Sequence, residues 1–512
     1  MKIFKIVGFV FCLAFFEYGF AQTSKLKSDA KSAMMRATRF MVEKVSTNGG
    51  YVAQYLPDLS RRWGELEGFD TQIWVQSPGT VSMGNIFLDA YDATGDEYYY
   101  QAAEKVAAAL IWGQQKEGGW NYIIDFAGER SLKKWYATIG KNAWGFEEYY
   151  HYYGNSTFDD LNTTEPAEFL LRLYLIKDDV KYKTAIDKAI QFVLDAQYPL
   201  GGWPQRYPLK YDHPKGKHDD YSSFYTYNDD VTSANIDFLI NCYMKLNEGR
   251  LLDPIRRGMN FYIITQQGNP QGGWGQQYNM DLQPSYARSY EPAALLPALS
   301  YQHGMLMIKY YQLTGDRKFI ARIPDIIDWL ESSKLPADKT ENGTRTHATF
   351  IELATNKGLY AHRTGSGVID GKYWYDYDDK NLLAHYGGKA NVNIKALRDE
   401  YNRVSEMSAE EISRNAFLKP GNTAPYTTMI NNLPKPTDEV VKNIIGSLNN
   451  DRWLVKHVQI SRPFTVTADG VESNTAKLSD ENGKGIVDAS EQEYISTREY
   501  VKNMNLLINY TK

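Results

Sequence analysis

The sequence predicts a mainly α protein: an incomplete (α/α) toroid of helical hairpins with a smaller C-terminal lobe containing some β-strands. Three observations lead there. A Gly-Gly-aromatic unit recurs as Gly49-Gly50-Tyr51, Gly118-Gly119-Trp120, Gly201-Gly202-Trp203 and Gly272-Gly273-Trp274, at intervals of 69, 83 and 71 residues. The later copies follow stretches with helical spacing of apolar residues, at 98–115, 182–197 and 252–267. A second helical stretch precedes each hairpin turn, at 81–93, 167–176, 232–246 and 298–313; Phe169, Leu170, Leu173 and Tyr174 mark the apolar face of one of them. Two helices per fixed period is the mark of a helical repeat array.

The hairpin turns carry their own signal. In Thr94-Gly95-Asp96 and Thr314-Gly315-Asp316 the glycine ends one helix and the aspartate caps the next. The Gly-Gly pairs permit tight loops with positive φ, and their tryptophans offer large rigid surfaces. These rings either plug the hairpin ends or face a ligand. After about residue 330 the pattern changes. Residues 344–379 are rich in Gly, Thr and aromatics, with strands expected at 349–353 and 358–362. Residues 400–446 mix short helices with a proline-bearing segment, 455–476 is extended, and 493–510 is a closing helix. The expected organisation is therefore a leader at 1–21, helical-hairpin repeats at 22–330 and a smaller mixed lobe at 331–512 that completes the cleft.

Composition narrows the function classes. The chain has 512 residues, 57 Lys+Arg against 62 Asp+Glu, and is 43% hydrophobic. That is globular material with a net charge of −5, which excludes nucleic-acid binding through bulk positive charge. Lys2 and Lys5 precede an apolar run at 6–16, and Gly19-Phe20-Ala21 gives small residues at a cleavage position, as in a secretory signal peptide. Cys12 lies in that leader without a lipoprotein context, so Cys242 alone remains and no intramolecular disulfide is expected. No other stretch has the ~18 apolar residues of a membrane span. The expected product is an exported, secreted or periplasmic, monomer. HExxH, Cys/His zinc spacing, Gly-x-Ser-x-Gly, a phosphate loop and a dinucleotide fingerprint are all absent from the sequence.

Three segments combine polar and aromatic residues beyond what a core requires. The first runs from Gly201-Gly202-Trp203-Pro204-Gln205 to Tyr227-Asn228-Asp229-Asp230, just ahead of a helix. One carboxylate there serves as a cap; three oxygen-bearing side chains in a row also suit a hard cation such as Ca²⁺. The second runs from Gly272-Gly273-Trp274-Gly275-Gln276-Gln277 to Arg288-Ser289-Tyr290-Glu291, in the equivalent loop of the next repeat. An Arg and a Glu three residues apart also pair with each other in ordinary structure. The third is 351–365, where strand alternation places Ala361 and Arg363 on one face and His362 on the other.

At 201–208, 227–230, 272–277 and 288–292, and on through 352–365, His385-Tyr386-Gly387-Gly388, 448–453 and 495–510, the sequence resembles the family-10 pectate lyases. The resemblance implies a secreted polysaccharide lyase with a partial (α/α) toroid and Ca²⁺ at its cleft. The family's Asn-Asp-Asn calcium segment resembles Asn228-Asp229-Asp230, making Asp229 and Asp230 the implied metal residues. Its Gln-Gln-His-Asp looks like Gln276-Gln277-Tyr278-Asn279, without the His and the acid. Its Ser-Gly-Arg-Asp-Gly turn looks like Ala361-His362-Arg363-Thr364-Gly365, which implies Arg363 as the catalytic arginine. A substrate-binding Gly-Arg-Trp is similar to Arg452 before Trp453. With Arg288, Trp203, Trp274 and Tyr227 these complete the expected substrate-binding set.

The implied chemistry is β-elimination on a uronate-containing acidic polysaccharide. Neutralising the uronate carboxylate stabilises the enolate-like transition state formed when the C5 proton leaves. A net-negative protein must then concentrate cationic groups at the cleft, and Asp229 with Ca²⁺, Arg363, Arg288 and Arg452 would supply them. The same chemistry on an algal sulfated polyuronate of the ulvan type is open. So are a glycoside hydrolase using Asp229 and Glu291 and a non-catalytic glycan-binding protein.

Overall fold

The computed structural model describes residues 24–143, 146–214, 219–341, 343–364, 372–383, 387–416, 418, 435–462, 464–466, 472–474 and 486–512. The expected leader at 1–21 lies outside these residues, as do His385, Tyr386 and most of the proline-bearing segment. Among the described residues no helix is long and apolar enough to cross a membrane.

Helix α1 spans 24–40 and runs on through a π turn at Met41–Val45. The hairpins follow as α2 (Thr80–Thr94) with α3 (Glu97–Gly113), α5 (Thr164–Lys177) with α6 (Lys183–Ala196), α7 (Val231–Leu246) with α8 (Leu252–Thr265), and α9 (Pro297–Thr314) with α10 (Ile323–Ser332). A short amphipathic helix that the periodicity did not reveal, α4 (Glu129–Thr138), lies in the loop between the first two. Helices α2, α5, α7 and α9 form the inner layer, with apolar residues spread round much of each helix and charged pairs such as Arg172–Asp89 and Lys309–Asp237 between neighbours. The stripe of α6, α8 and α10 is one-sided, as suits an outer layer that faces water. Each hairpin turns as expected. Gly95 and Gly315 adopt φ of +69° and +72°, and Asp96 and Asp316 accept hydrogen bonds from Tyr98 N and Lys318 N.

The Gly-Gly-aromatic units fix how one repeat sits on the next. A Cβ on Gly118 would lie 2.2 Å from the carbonyl oxygen of Lys188 in α6, and one on Gly201 2.1 Å from that of Arg257 in α8. Gly49 and Gly272 abut Lys105 in α3 and Asp325 in α10 in the same way. A glutamine ending each outer helix then ties its own loop to the following outer helix. Gln114 Nε2 donates to the carbonyls of Gly118 and Ala185, Gln197 Nε2 to those of Gly201 and Pro254, and Gln266 Nε2 to those of Gly272 and Arg322. These bonds satisfy carbonyls and donors that burial would otherwise strand.

The tryptophans point inward. Trp120, Trp203 and Trp274 are wholly buried, and their Nε1 atoms donate to the carbonyls of Leu110, Val193 and Tyr262 in the preceding outer helices. Tyr227 is buried too, with its hydroxyl 2.5 Å from Thr265 Oγ1. The expectation that Trp203, Trp274 and Tyr227 stack on substrate is therefore corrected. Burying a large ring with its one donor satisfied stabilises the hairpin end, and no ring face is left to a ligand.

Short antiparallel pairs zip successive loops together: Gln72–Trp74 with Ile123–Asp125, Ser156–Thr157 with Arg206–Tyr207, Tyr225–Thr226 with Gln277–Tyr278. A four-stranded sheet continues the series, with Ala294–Leu295, Phe350–Glu352, Gly358–Thr364 and Lys372–Asp376 in that order. The chain then adds α11 (Ile394–Ser405), packed on α9 and α10, then α12 (Ala409–Asn415) and α13 (Asp438–Gly446). It returns to its beginning. Tyr494–Ser496 pairs with Gln54–Tyr55, and α14 (Thr497–Thr511) packs along α2. Leu397, Val404, Trp453, Tyr500 and Leu507 belong to the same continuous core as the repeats.

Gly201→Ala tests the inter-repeat contact, because φ is +116° there and the neighbour is backbone. The substitution should cost about 2 kcal/mol or more in chemical denaturation, whereas Gly249→Ala, with open space around it, should be close to neutral.

Candidate functional site

The inner helices α5 and α7 start from turns of one design. Thr157-Phe158-Asp159-Asp160 precedes α5, and Thr226-Tyr227-Asn228-Asp229 precedes α7. Thr163 and Thr232 each donate to the carbonyl six residues back, at 2.7 Å. Asp160 and Asp229 both adopt left-handed backbone, with φ of 47° and 50°. The two turns touch, and their acids meet the guanidinium of Arg288 from the next loop.

Arg288 is 6% exposed. Its Nη2 lies 3.0 Å from Asp159 Oδ2 and 3.6 Å from Asp229 Oδ2, its Nε 3.2 Å from Glu148 Oε2, and its Nη1 3.3 Å from Glu291 Oε1. Glu291 also accepts the Arg288 backbone N–H at 2.8 Å, which locks the loop, and Ser289 N donates to Glu147. Tyr122 donates to Asp159 at 2.5 Å. Above Tyr122 lies Arg206, 3% exposed, its guanidinium 5.1 Å from the Tyr122 ring centre and 4.8 Å from that of Tyr153.

One guanidinium among four carboxylates sorts them by protonation. Burial pushes the Asp229 carboxyl well up, and the neighbouring charges of Asp159 and Asp160 add to it. Asp160 is raised for the same reasons, burial first and then Asp159 and Glu65. Glu148 is pushed up to about 8 by burial, against the pull of Arg288. Burial also opposes ionisation of Asp159. Arg288 and the hydrogen bonds from Asp229, Tyr122 and Gln205 outweigh it and hold Asp159 below the usual carboxylate range. A neutral Asp229 donating to an ionised Asp159 accounts for both directions.

The sequence-predicted residues divide here. Arg288 and Asp229 come together, but Arg288 spends its charge on buried acids and is not presented to a ligand. Asp230 is exposed, lies within 3.4 Å of Ser233 Oγ, and lines a separate cavity of about 460 Å³ with Glu168 and Asp237. The expected Asp229–Asp230 metal pair is thus corrected, because Asp229 is turned onto Arg288 while Asp230 lines the separate cavity. Arg452 is corrected as well. It donates to the Pro57 carbonyl at 3.2 Å and stacks over Phe40 at 5.4 Å, under the turn at 449–452. Arg363 lies opposite Tyr373 on its strand, on the face it shares with Tyr375. The Tyr375 hydroxyl donates to the Ser289 carbonyl and Tyr373 packs near Tyr290, so this face is docked on the Arg288 loop. His362 is on the other face, stacked on Trp374 and bonded to Asp376.

Sequence reasoning missed Asp159, Asp160 and Glu148. The first two were legible: aligning the turn at 157–163 with that at 226–232 superposes Asp160 on Asp229. Glu148 carries no motif.

Removing Arg288 strands several acids at once, so Arg288→Ala should cost about 3–5 kcal/mol at neutral pH and less at pH 5, where the acids take up protons. Glu148 titrates near 8 in the fold against 4.5 in a free chain. The native state therefore binds more protons than the unfolded one in that window, and stability falls as pH rises from about 4.5 to 8. Thermal melts of Glu148→Gln should show a shallower decline across it.

The described geometry can be set beside known proteins. The model of a family described as pectic acid lyase matches residues 114–380. No curated protein matches the chain. Among solved structures, the chain is similar to a variant of a family 10 polysaccharide lyase from Cellvibrio cellulosa, in complex with trigalaturonic acid. The identity is 18% over 63% of this chain and 98% of that one, with a TM-score of 0.40. It is also similar to the GH76A alpha-1,6-mannanase of Salegentibacter sp. HEL1_6, at 10% identity over 95% and 98% of the two chains, with a TM-score of 0.36. The family match spans more than half of the sequence, and the chain belongs to the pectic acid lyase family: it is a polysaccharide lyase.

Proposed function

We propose that the protein is an exported lyase that cleaves a uronate-containing acidic polysaccharide by β-elimination, with Arg363 as the base. The observation that carries this reading is the docking of the Arg363 strand face on the loop that holds Arg288, beside the paired turns bearing Asp160 and Asp229. The base takes the C5 proton, the electron pair is held in an enolate-like state on the sugar carboxylate and returns to form the C4–C5 double bond, and the C4–O pair leaves on the departing sugar's oxygen, which takes up a proton from water. The site's part is to keep the carboxylate's charge neutralised while the proton leaves. Free arginine holds its proton to about pH 12 or above, so Arg363 serves as base only where neighbouring positive charge favours its neutral form.

Ca²⁺ suits the charge of the site, and the geometry limits how it is held. Asp160 and Asp229 are both raised, by burial first and then by the charge of neighbouring acids, and a hard cation between them would offset that repulsion. Among the described residues no three Asp, Glu, His or Cys side chains converge on a metal-sized point. Asp229 with Asp160 would hold the ion, completed by water and by the substrate's own carboxylate, and it would act there as a Lewis acid.

A hydrolase is disfavoured, because Glu291 is buried and both its oxygens are engaged by Arg288; it cannot also flank a scissile bond.

Incubation with polygalacturonate, a glucuronan and ulvan should produce ultraviolet absorbance from the new double bond on at least one of them. Chelation should suppress it, and Arg363→Ala should lower kcat by about 10² or more. Reducing ends released without absorbance would overturn the reading.

A further inference from the structure

Next to the paired turns a groove of about 780 Å³ runs between the loop ahead of α2 and the C-terminal strands, a volume within the roughly 300–1,000 Å³ of ligand clefts. Asp160 is among the residues that line it. Its outer wall is built by residues 455–461 and 496–499, beyond the family match at 114–380. Gln54, Gln76, Gln459 and Ser461 give it amide and hydroxyl groups of the kind that bind sugar hydroxyls.

The groove wall carries two cations whose charge no acid among the described residues answers. Arg36, Lys177, Lys309 and Arg398, by comparison, are each paired with an acid at 2.7–3.1 Å. Lys456 and Arg498 line the groove, are exposed, and form no side-chain hydrogen bond or ion pair with a described residue. His457 beside them comes only within 4.0 Å of Asp488. Of the three acids in the same groove, Glu499 is paired with Lys502 at 3.1 Å, Glu65 accepts from the Tyr149 hydroxyl at 2.6 Å and Asp160 accepts from Gln76 Nε2 at 3.3 Å. Arg498 also sits in the first turn of α14, where a cation opposes the helix dipole and its own fold gives it no return. Two unpaired cations on the wall of a polar groove, on a protein whose net charge is negative, mark a place for an anion.

We propose that this groove is a subsite for the anionic chain, in which Lys456 and Arg498 hold the carboxylates of sugar units on one side of the bond that is cut. The inference rests on the lyase reading and adds the position of the chain: it runs along the C-terminal wall of the groove that Asp160 lines.

The test measures both binding and turnover. Affinity electrophoresis in gels containing polygalacturonate, a glucuronan or a neutral glucan, at two salt concentrations, reads binding without chemistry. Lys456→Ala/Arg498→Ala should weaken retention by the acidic gels, lessen its salt dependence, and leave the neutral gel unaffected. In turnover assays the double variant should raise KM about tenfold with kcat within about twofold of the parent, and Lys456→Arg/Arg498→Lys should restore KM. Lys512→Ala, an exposed cation paired with Asp92, is the control. A double variant with parental retention and KM overturns the subsite while the lyase reading stands. Retention lost in the variant, with no unsaturated product from the parent on any polyuronate, supports the groove as an anion site and overturns the lyase reading.

Discussion

A glycine pressed against a neighbouring carbonyl sets the spacing of the whole array. At Gly49, Gly118, Gly201 and Gly272 the chain ending one outer helix comes so near the next outer helix that a Cβ would sit 2.1–2.6 Å from its backbone oxygen. Only glycine allows that approach. It brings the terminal glutamine within reach of both repeats and drives the following aromatic ring under the hairpin. Because the contact recurs at the same end of each outer helix, every inner helix begins on the same side of the toroid. The polar turns ahead of α5 and α7 are neighbours for that reason, and the site follows from the packing of glycine.

What gathers at that end is negative. Arg288 is the counterion for Asp159, Asp229, Glu148 and Glu291, and in a low-dielectric setting one guanidinium cannot balance four ionised acids. Burial, with repulsion from the neighbouring acids, raises Asp229, Asp160 and Glu148 and so keeps part of the cluster protonated, while Arg288 and hydrogen bonds hold Asp159 low. An acidic substrate gains nothing from such a centre as it stands. On the proposed reading, positive charge for it would come from an ion held by the acids, from the Arg363 strand and from the outer groove wall. Binding and chemistry would then fall to different parts of the chain, the repeats supplying the centre and the C-terminal return supplying the cations.

The helices were legible because their apolar spacing has few alternative readings: α2, α5, α7 and α9 start and stop within three residues of expectation. Asp96 and Asp316 were legible as caps for the same local reason. The face of Arg363 followed from strand alternation, which the register with Tyr373 and Tyr375 bears out. Direction in three dimensions was not legible. A Gly-Gly-Trp sequence announces a tight loop, but whether its ring turns toward water or toward the preceding helix depends on a carbonyl ten or twelve residues earlier. Arg452 failed similarly, since its partners Pro57 and Phe40 are some 400 residues away in the chain.

The acidic turns show why Asp229 and Asp230, adjacent in sequence, part company. Each turn places two consecutive residues in the left-handed region, Asp160 with Leu161 and Asp229 with Asp230, at φ of 47°, 60°, 50° and 57°. For residues with a Cβ this conformation costs on the order of 1 kcal/mol or more apiece. It persists only because surrounding contacts over-determine it, here the Thr163 and Thr232 hydroxyls on the carbonyls of Thr157 and Thr226. Leu161 occupies in the first turn the place of Asp230 in the second, so that position needs no acid. The position before it is aspartate in both: Asp229 meets Arg288, and Asp160 lines the groove while its neighbour Asp159 makes the contact with Arg288. The strain is thus the means by which one carboxylate from each repeat is delivered to a shared centre.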